Sequence, residues 1–433
     1  MKQIFGLLIL LSSVSRAQDV RTAPTIQQQV WSLTEVMYHD VINPPAAARF
    51  YSYSLLTGYE ILYRLKQGVP SLQNIIKQYP SASLVLPATI NPALSVLYGI
   101  LETGKNIIPS GYLLEEKQKL LLSYYSDMAI DQKIIDSSIM FAQRVSNMIV
   151  QYSRSDGYFR LSVKKRYKPF DTEGAWKPTP PEYMAAVEPY WGTVRVFFID
   201  STAAFKATPP VEFDKDVSSE FYKLVKEVYD TGNKLSDEQK LIANYWDCNP
   251  FAVQFQGHMS IGLKKISPGG HWMSISGIAA QEAGLDFKNT LLIHTVVALT
   301  LHDAFVCCWD EKYRTNRIRP ETAINRMLDE KWKPLLQTPP FPEYSSGHSV
   351  ISTAAAVILS SWFGDNFPFT DTTETYIGLP ARNFKSFLDA AAEARISRLY
   401  GGIHFWDAIE NGGDQGKKIG EFILKKIDMK PFN

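Results

Sequence analysis

Apolar residues that recur at intervals of three and four dominate this chain, and nothing else limits its fold as much. The spacing predicts helices over residues 25–66, 113–154, 218–229, 236–246, 287–313, 349–362, 383–400 and 404–427. Alternating β-branched runs, which would mark half-buried strands, are nearly absent. The expected fold class is all-α, arranged as two helical-bundle halves. Pro and Gly gather between the helices, with five Pro in residues 168–189 and three in 339–342. These stretches carry aromatic residues and no Gly/Ser tract, so they read as ordered loops and not as linkers. A soft boundary is expected near residue 210, where Ala-Thr-Pro-Pro-Val-Glu-Phe interrupts the pattern. It would divide an N-terminal helical region, 18–210, from a C-terminal one, 211–433.

Charge excludes some partners. The 433 residues hold 45 Lys+Arg and 44 Asp+Glu, a net charge of +1, which gives no field to attract nucleic acid or an acidic membrane surface. With 45% hydrophobic and 21% charged residues the chain has the composition of a globular protein. Cys248, Cys307 and Cys308 cannot all pair with one another, and they read as small core residues. Lys2, the apolar stretch Ile4–Val14 and Ser15-Arg16-Ala17 have the layout of a secretory signal peptide, residues 1–17, cut after Ala17. Export to the periplasm or the exterior is the corresponding expectation. Further on, Leu291–Leu301 is broken by His294 and Val350–Phe363 carries four hydroxyls, so no membrane span is expected.

Four segments carry chemistry. Phe387, Ala391, Ala394 and Arg398 share one helix face, which directs a guanidinium along an apolar stripe. A buried Arg needs an anion, either a core carboxylate or a bound oxyanion. Glu343-Tyr-Ser-Ser-Gly-His348 precedes a helical run. Ser345 or Ser346 can cap it, Gly347 allows close backbone approach, and free N–H groups at a helix start suit an anion. His348 would then stand beside that anion, able to give or take a proton. Lys312-Tyr-Arg-Thr-Asn-Arg-Ile-Arg319-Pro320 places four cations in eight residues at the end of a core-like helix. In Ser397-Arg398-Leu-Tyr-Gly-Gly-Ile-His404 the two Gly break a helix and can swing His404 back beside Arg398.

The order Lys-x6-Arg-Pro, x-Ser-Gly-His, Ser-Arg-x5-His resembles the three-part signature of the superfamily that joins vanadium-dependent haloperoxidases with type 2 phosphatidic acid phosphatases. Segments from about residue 170 onward, such as Tyr245-Trp-Asp-Cys-Asn-Pro250 and Pro268-Gly-Gly-His-Trp272, are similar to secreted bacterial haloperoxidase-like proteins. The resemblance implies an oxyanion site in the C-terminal bundle. There Lys312, Arg319 and Arg398 would hold the oxygens of vanadate or phosphate, helped by Ser346 and the Gly347 amide. His404 would be the axial ligand of vanadium, or the nucleophile on phosphorus. His348 would be the acid–base residue, and Lys312 would polarise peroxide.

The sequence departs from the family pattern at two points. Ser345 replaces the usual Pro before Ser-Gly-His. Ala408 stands where an Asp commonly orients the last His, and Asp407 comes one residue early, about 100° away on a helix. Asp407 is therefore expected to fall short of the His404 ring, with Glu410 or a backbone carbonyl substituting for it, and Asp303 is a further candidate supporting carboxylate beside the cations. Three functions stay open at this level. One is halide oxidation by hydrogen peroxide at histidine-bound vanadate. Another is hydrolysis of a phosphate monoester through a phosphohistidine. The third is non-catalytic binding by an exported helical protein. Trp272, Trp309, Tyr313, Phe341 and Tyr344 are the candidates for shaping halide choice, with His271 and Trp272 expected at the pocket mouth.

Overall fold

A computed structural model describes residues 23–250, 252–256 and 259–427, with only the backbone described between 252 and 263. The expected signal peptide lies outside the described residues. Thirteen α-helices account for most of the described chain: α1 (Ile26–His39), α2 (Pro44–Arg64), α3 (Pro92–Ile107), α4 (Leu114–Asp127), α5 (Gln132–Arg154), α6 (Glu220–Gly232) and α7 (Asp237–Tyr245). After them come α8 (Pro268–Glu282), α9 (Phe287–Thr315), α10 (Pro320–Met327), α11 (Gly347–Phe363), α12 (Phe387–Tyr400) and α13 (Trp406–Ile427). Two small antiparallel pairs complete the fold: β1 (Ala252–Gln256) with β2 (Met259–Leu263), and β3 (Phe369–Asp371) with β4 (Arg382–Phe384). The all-α expectation holds.

Where the structure differs from the helical periodicity, local chemistry explains it. Residues 25–66 form two helices, because Asn43 caps α2 and Pro44-Pro45 cannot continue α1. Residues 113–154 likewise divide at Met128–Asp131, where Ala129 is left-handed and the Asp131 carboxylate caps α5. Residues 382–384 are strand, so α12 begins only at Phe387. Three helices escaped the periodicity, and each starts with a proline: Pro92, Pro268 and Pro320. Read as a breaker, a proline hides a helix; at the first helical position its missing N–H costs nothing.

The helices form two groups that share α9. In the first, α2, α3 and α5 pack together, with α1 and α4 against α3; in the second, α11 packs on α12 and α13. The α9 helix touches α2 and α8 on one side and α11 and α13 on the other. It is apolar and long enough to cross a membrane by composition, but its apolar window is wholly buried in protein. One continuous apolar cluster runs through both groups, including Leu55 and Leu101 in the first and Ile351, Ala394 and Ile423 in the second.

The start of α11 is fixed by glycine. Gly412, Gly416 and Gly420 lie on one face of α13, against α11. A methyl group on Gly416 would come within 2.2 Å of the Val350 carbonyl oxygen, and one on Gly412 within 3.0 Å of the Ser346 carbonyl oxygen. The two backbones therefore touch, and the Ser346 N–H donates to Ala408 across the contact (3.1 Å). Gly416→Ala should destabilise the protein by roughly 1–3 kcal/mol, as overpacking does, because a backbone oxygen cannot move aside. Gly420→Ala should cost less, since its nearest neighbour is the Val357 side chain. Denaturant midpoints of the two variants at unchanged slope test the ranking.

Candidate active site

The site lies where the C-terminal end of α9, the N-terminus of α11 and the turn after α12 meet. Ser346 caps α11 by accepting from the Ser349 N–H (3.4 Å) and from the Ser349 hydroxyl (2.9 Å). Gly347 and His348 thus occupy the first turn, where N–H groups lack helical partners. A Cβ added to Gly347 would meet only Trp309 and Lys312, at 3.9 and 4.0 Å, so its flank is open. After α12, Gly401 and the left-handed Gly402 reverse the chain and bring His404 back under Arg319.

Arg319, Lys312 and Arg398 are all buried, and among the described residues none of them forms an ion pair. Backbone carbonyls hold them instead. Lys312 Nζ donates to Pro342, Glu343 and Ser345 at 3.3, 3.1 and 2.5 Å. Arg319 donates to Phe341 and Ile403 (both 2.9 Å), and Arg398 to Trp246 (2.7 Å). Burial pushes Lys312 down to about 8 and both arginines down to about 10. Desolvation of unpaired cations is the cause, and it is relieved by an anion.

The two histidines are held neutral, well below the usual imidazole range, by burial and by the neighbouring cations. His404 Nδ1 lies 2.8 Å from Glu343 Oε1, and its Nε2 lies 3.2 Å from Arg319 Nη1. A carboxylate only accepts, so Nδ1 carries the proton and the Nε2 lone pair is presented beside Arg319. His348 bonds to the Trp246 backbone, while its covered Nε2 has no partner among the described residues. Gly347, His348, Arg398 and His404 line one narrow cavity of about 50 Å³, with Trp309, Phe341, Phe305 and Pro339 as apolar walls. Lys312, Arg319 and Ser346 stand directly behind that lining.

The supporting carboxylates differ from expectation. Glu343 orients His404, and it also accepts from the Phe405 N–H (3.1 Å). Asp407 instead clamps Arg317, both oxygens at 2.8 Å, and Arg317 lies 3.5 Å from the second Glu343 oxygen. Asp407 therefore reaches His404 only through Arg317 and Glu343. Glu410 pairs with Arg395 (2.7 Å), away from the imidazole. Asp303 accepts from the N–H groups of Phe197, Phe198 and Ile199 (2.6–3.1 Å), fixing a loop and not the cations. The sequence held one signal for Glu343: a carboxylate in the same run as Ser346-Gly-His348.

The aromatic candidates also separate. Trp309 and Phe341 wall the cavity, and Phe341 faces both Lys312 and Arg319 (5.2 and 5.0 Å). Trp272 is in the core and donates to Ser352 (2.8 Å). Tyr313 donates to the Val187 carbonyl and Tyr344 to that of Thr208. The expected Gly-Gly-His-Trp turn at the pocket mouth is the first turn of α8, and His271 is fully buried in it.

Comparison with known proteins gives a consistent result. A family profile described as the VCPO second helical-bundle domain matches residues 292–430. The structure is similar to that of the first bacterial vanadium-dependent iodoperoxidase, at 40% identity and a TM-score of 0.86, over 94% of this chain and 97% of that one. It also resembles a bacterial vanadium-dependent chloroperoxidase in its holo form, at 13% identity and a TM-score of 0.64, over 90% and 92% of the two chains. The apo form of such a chloroperoxidase matches at 14% identity with the same TM-score, over 89% and 94%. These two likenesses are of fold alone. No curated protein sequence matches.

The carboxylates rank by their distance from His404. Glu343→Ala should weaken affinity for vanadate ~10–100-fold, the usual effect of losing a partner that orients a histidine ligand. Asp407→Ala should have a smaller effect, and Glu410→Ala none. Titration of the three variants with vanadate gives the order directly.

Proposed function

Because this chain belongs to the vanadium-dependent haloperoxidase family, we propose that it oxidises halide with hydrogen peroxide at a histidine-bound vanadate. The observation that carries this reading is the gathering of Arg398, His348 and His404 around one cavity backed by Arg319 and Lys312, with no carboxylate among the described residues paired to the three cations. The residues fit the group. His404 offers an unprotonated Nε2, His348 an unpartnered Nε2, and Gly347 an open flank on the helix N-terminus. Vanadate when bound supplies a Lewis-acidic centre that activates peroxide toward halide.

The work of the chain itself follows from the geometry. His404 would hold the metal through Nε2, kept in the correct tautomer by Glu343. Arg398 and Arg319 would neutralise the oxyanion, together with the Gly347 N–H and the Ser346 hydroxyl. The three ammonium hydrogens of Lys312 are engaged by carbonyls, so its share is a fixed positive field behind the α11 terminus. His348 would move protons through Nε2. Trp309, Phe341 and Phe305 exclude water, which strengthens every charge interaction inside.

A phosphomonoesterase could use the same residues, with His404 attacking phosphorus. Similarity to an iodoperoxidase over 94% of the chain favours halide oxidation, and it makes iodide the first halide to test. Export is part of the proposal too, supported by the Lys2, Ile4–Val14 and Ser15-Arg16-Ala17 pattern.

Two tests follow. His404→Ala should abolish vanadate binding and peroxide-dependent iodide oxidation together. His348→Ala should bind vanadate nearly as well but turn over ~10²–10⁴-fold more slowly, the usual share of acid–base catalysis. Equal loss of vanadate affinity in both variants would sink this division of roles.

The second test uses pH. Lys312 is pushed down to about 8, and only its protonated form attracts an anion. Vanadate affinity should therefore fall as pH rises through about 8, and the bound anion should move that limb upward by favouring the ammonium. Lys312→Gln should bind less tightly at neutral pH and lack this limb. The difference between the two titration series isolates the lysine from the ionisation of vanadate itself.

A further inference from the structure

Beside the oxyanion cavity lies a second cluster, which the reading above does not use. Cys248 follows α7, His271 lies in the first turn of α8, and Glu374 belongs to a 3-10 turn after β3. All three are buried, at 3%, 0% and 2% exposure. Cys248 Sγ lies 3.4 Å from His271 Nδ1, and Nδ1 lies 3.1 Å from Glu374 Oε1. The three ligand atoms are within 4.8 Å of one another.

Two features point to a missing partner. Glu374 Oε1 is buried, and among the described residues its one polar neighbour is His271 Nδ1 at 3.1 Å, a contact without hydrogen-bond geometry, which leaves the carboxylate oxygen poorly satisfied. The other ring nitrogen, His271 Nε2, lies 2.7 Å from Asp371 Oδ2. Asp371 thus takes the Nε2–H and leaves Nδ1 as the ring atom aimed between the thiol and Glu374. Without a metal, burial is outweighed by Asp371 and Cys248, which favour a proton on Nδ1 as well, and a bound cation would displace that proton. This carboxylate–histidine–metal order is typical of metal sites. In a tetrahedral zinc site, bond lengths of about 2.0–2.3 Å place neighbouring ligand atoms roughly 3.3–3.6 Å apart. The spacings around Nδ1 are close to that range.

We propose that Cys248, His271 and Glu374 bind a zinc ion, with Asp371 orienting the imidazole. A soft thiolate, an imidazole and one carboxylate suit zinc better than magnesium or calcium. The thiolate and Glu374 carry two negative charges, which balance the dication. The ion ties together α8, the β3 turn and the Trp246–Asn249 turn. The Trp246 carbonyl accepts from Arg398 (2.7 Å), and the Trp246 backbone bonds to His348. Zinc would therefore be a positioning element for one wall of the cavity, and its binding does not depend on what the cavity holds.

The test uses the full chain, freed of metal by a chelator and without vanadate. Zinc is titrated against a chromophoric competitor, and cobalt serves as a spectroscopic substitute. One equivalent per chain is expected, together with a thiolate-to-cobalt charge-transfer band. That band should vanish in Cys248→Ser and persist in Cys307→Ser. Asp371→Asn should lower zinc affinity ~10–100-fold, and Glu374→Gln should lower it too. A wild-type cobalt complex without the thiolate band overturns the proposal, even where a variant fails to fold. So does zinc binding that Cys248→Ser and Glu374→Gln both leave unchanged.

Discussion

Three cations are buried where no carboxylate among the described residues pairs with them, and the surrounding structure is arranged to make that tolerable. An isolated ammonium or guanidinium in a dry interior is expensive. Here each one donates to backbone carbonyls that have no better use: those of 341–345 for Lys312 and Arg319, that of Ile403 for Arg319, and that of Trp246 for Arg398. Irregular loops supply free carbonyls, whereas helices do not. The Pro-rich 339–342 stretch is therefore part of the site's electrostatics as well as a connector. Its aromatic residue Phe341 covers the cations, and its carbonyls hold them.

Some of this was legible in the sequence, and the reason is local. Arg398 continues an apolar stripe at helical spacing, and the structure buries it with Phe387, Ala391 and Ala394. Ser346-Gly-His348 announces a helix start, and it is one. Both signals live within one turn of helix, where sequence spacing fixes geometry. Helix starts that coincide with proline were lost, because a proline cannot be told from a breaker until the cap before it is recognised. Asn91 and Ser267 are the caps before Pro92 and Pro268, whereas Arg319 before Pro320 makes no side-chain cap.

The orienting carboxylate was not legible, for a different reason. Glu343 and His404 are 61 residues apart, and no periodicity relates them. Helical geometry said only that Asp407 would miss the ring. The structure shows what a displaced carboxylate does instead: it neutralises Arg317, which stands 3.5 Å from Glu343. A chain of alternating charge, Asp407, Arg317 and Glu343, then ends on the Nδ1–H of His404. Burial pushes the Glu343 carboxyl up, and Arg317 is the largest of the groups that oppose this, ahead of Arg319, Lys312 and the Phe405 N–H. A neutral acid could donate to the imidazole and reverse its tautomer, so Arg317, together with these groups, protects the lone pair on Nε2.

The same logic explains why α9 must be so apolar. It carries Lys312 at its C-terminal end, where the helix dipole favours a cation. Its earlier turns lie between the two groups of helices, and there His294 and His302 are kept neutral, down to about 4, with one ring nitrogen of each bonded to a backbone carbonyl. Asp303 on this helix is likewise spent on three backbone N–H groups of another loop. These polar side chains of α9 are thus committed away from Lys312. Glu311, the adjacent carboxylate, turns to Arg314 and the Ala207 N–H. The positive charge at the end of α9 is left for something that enters the cavity from outside the fold.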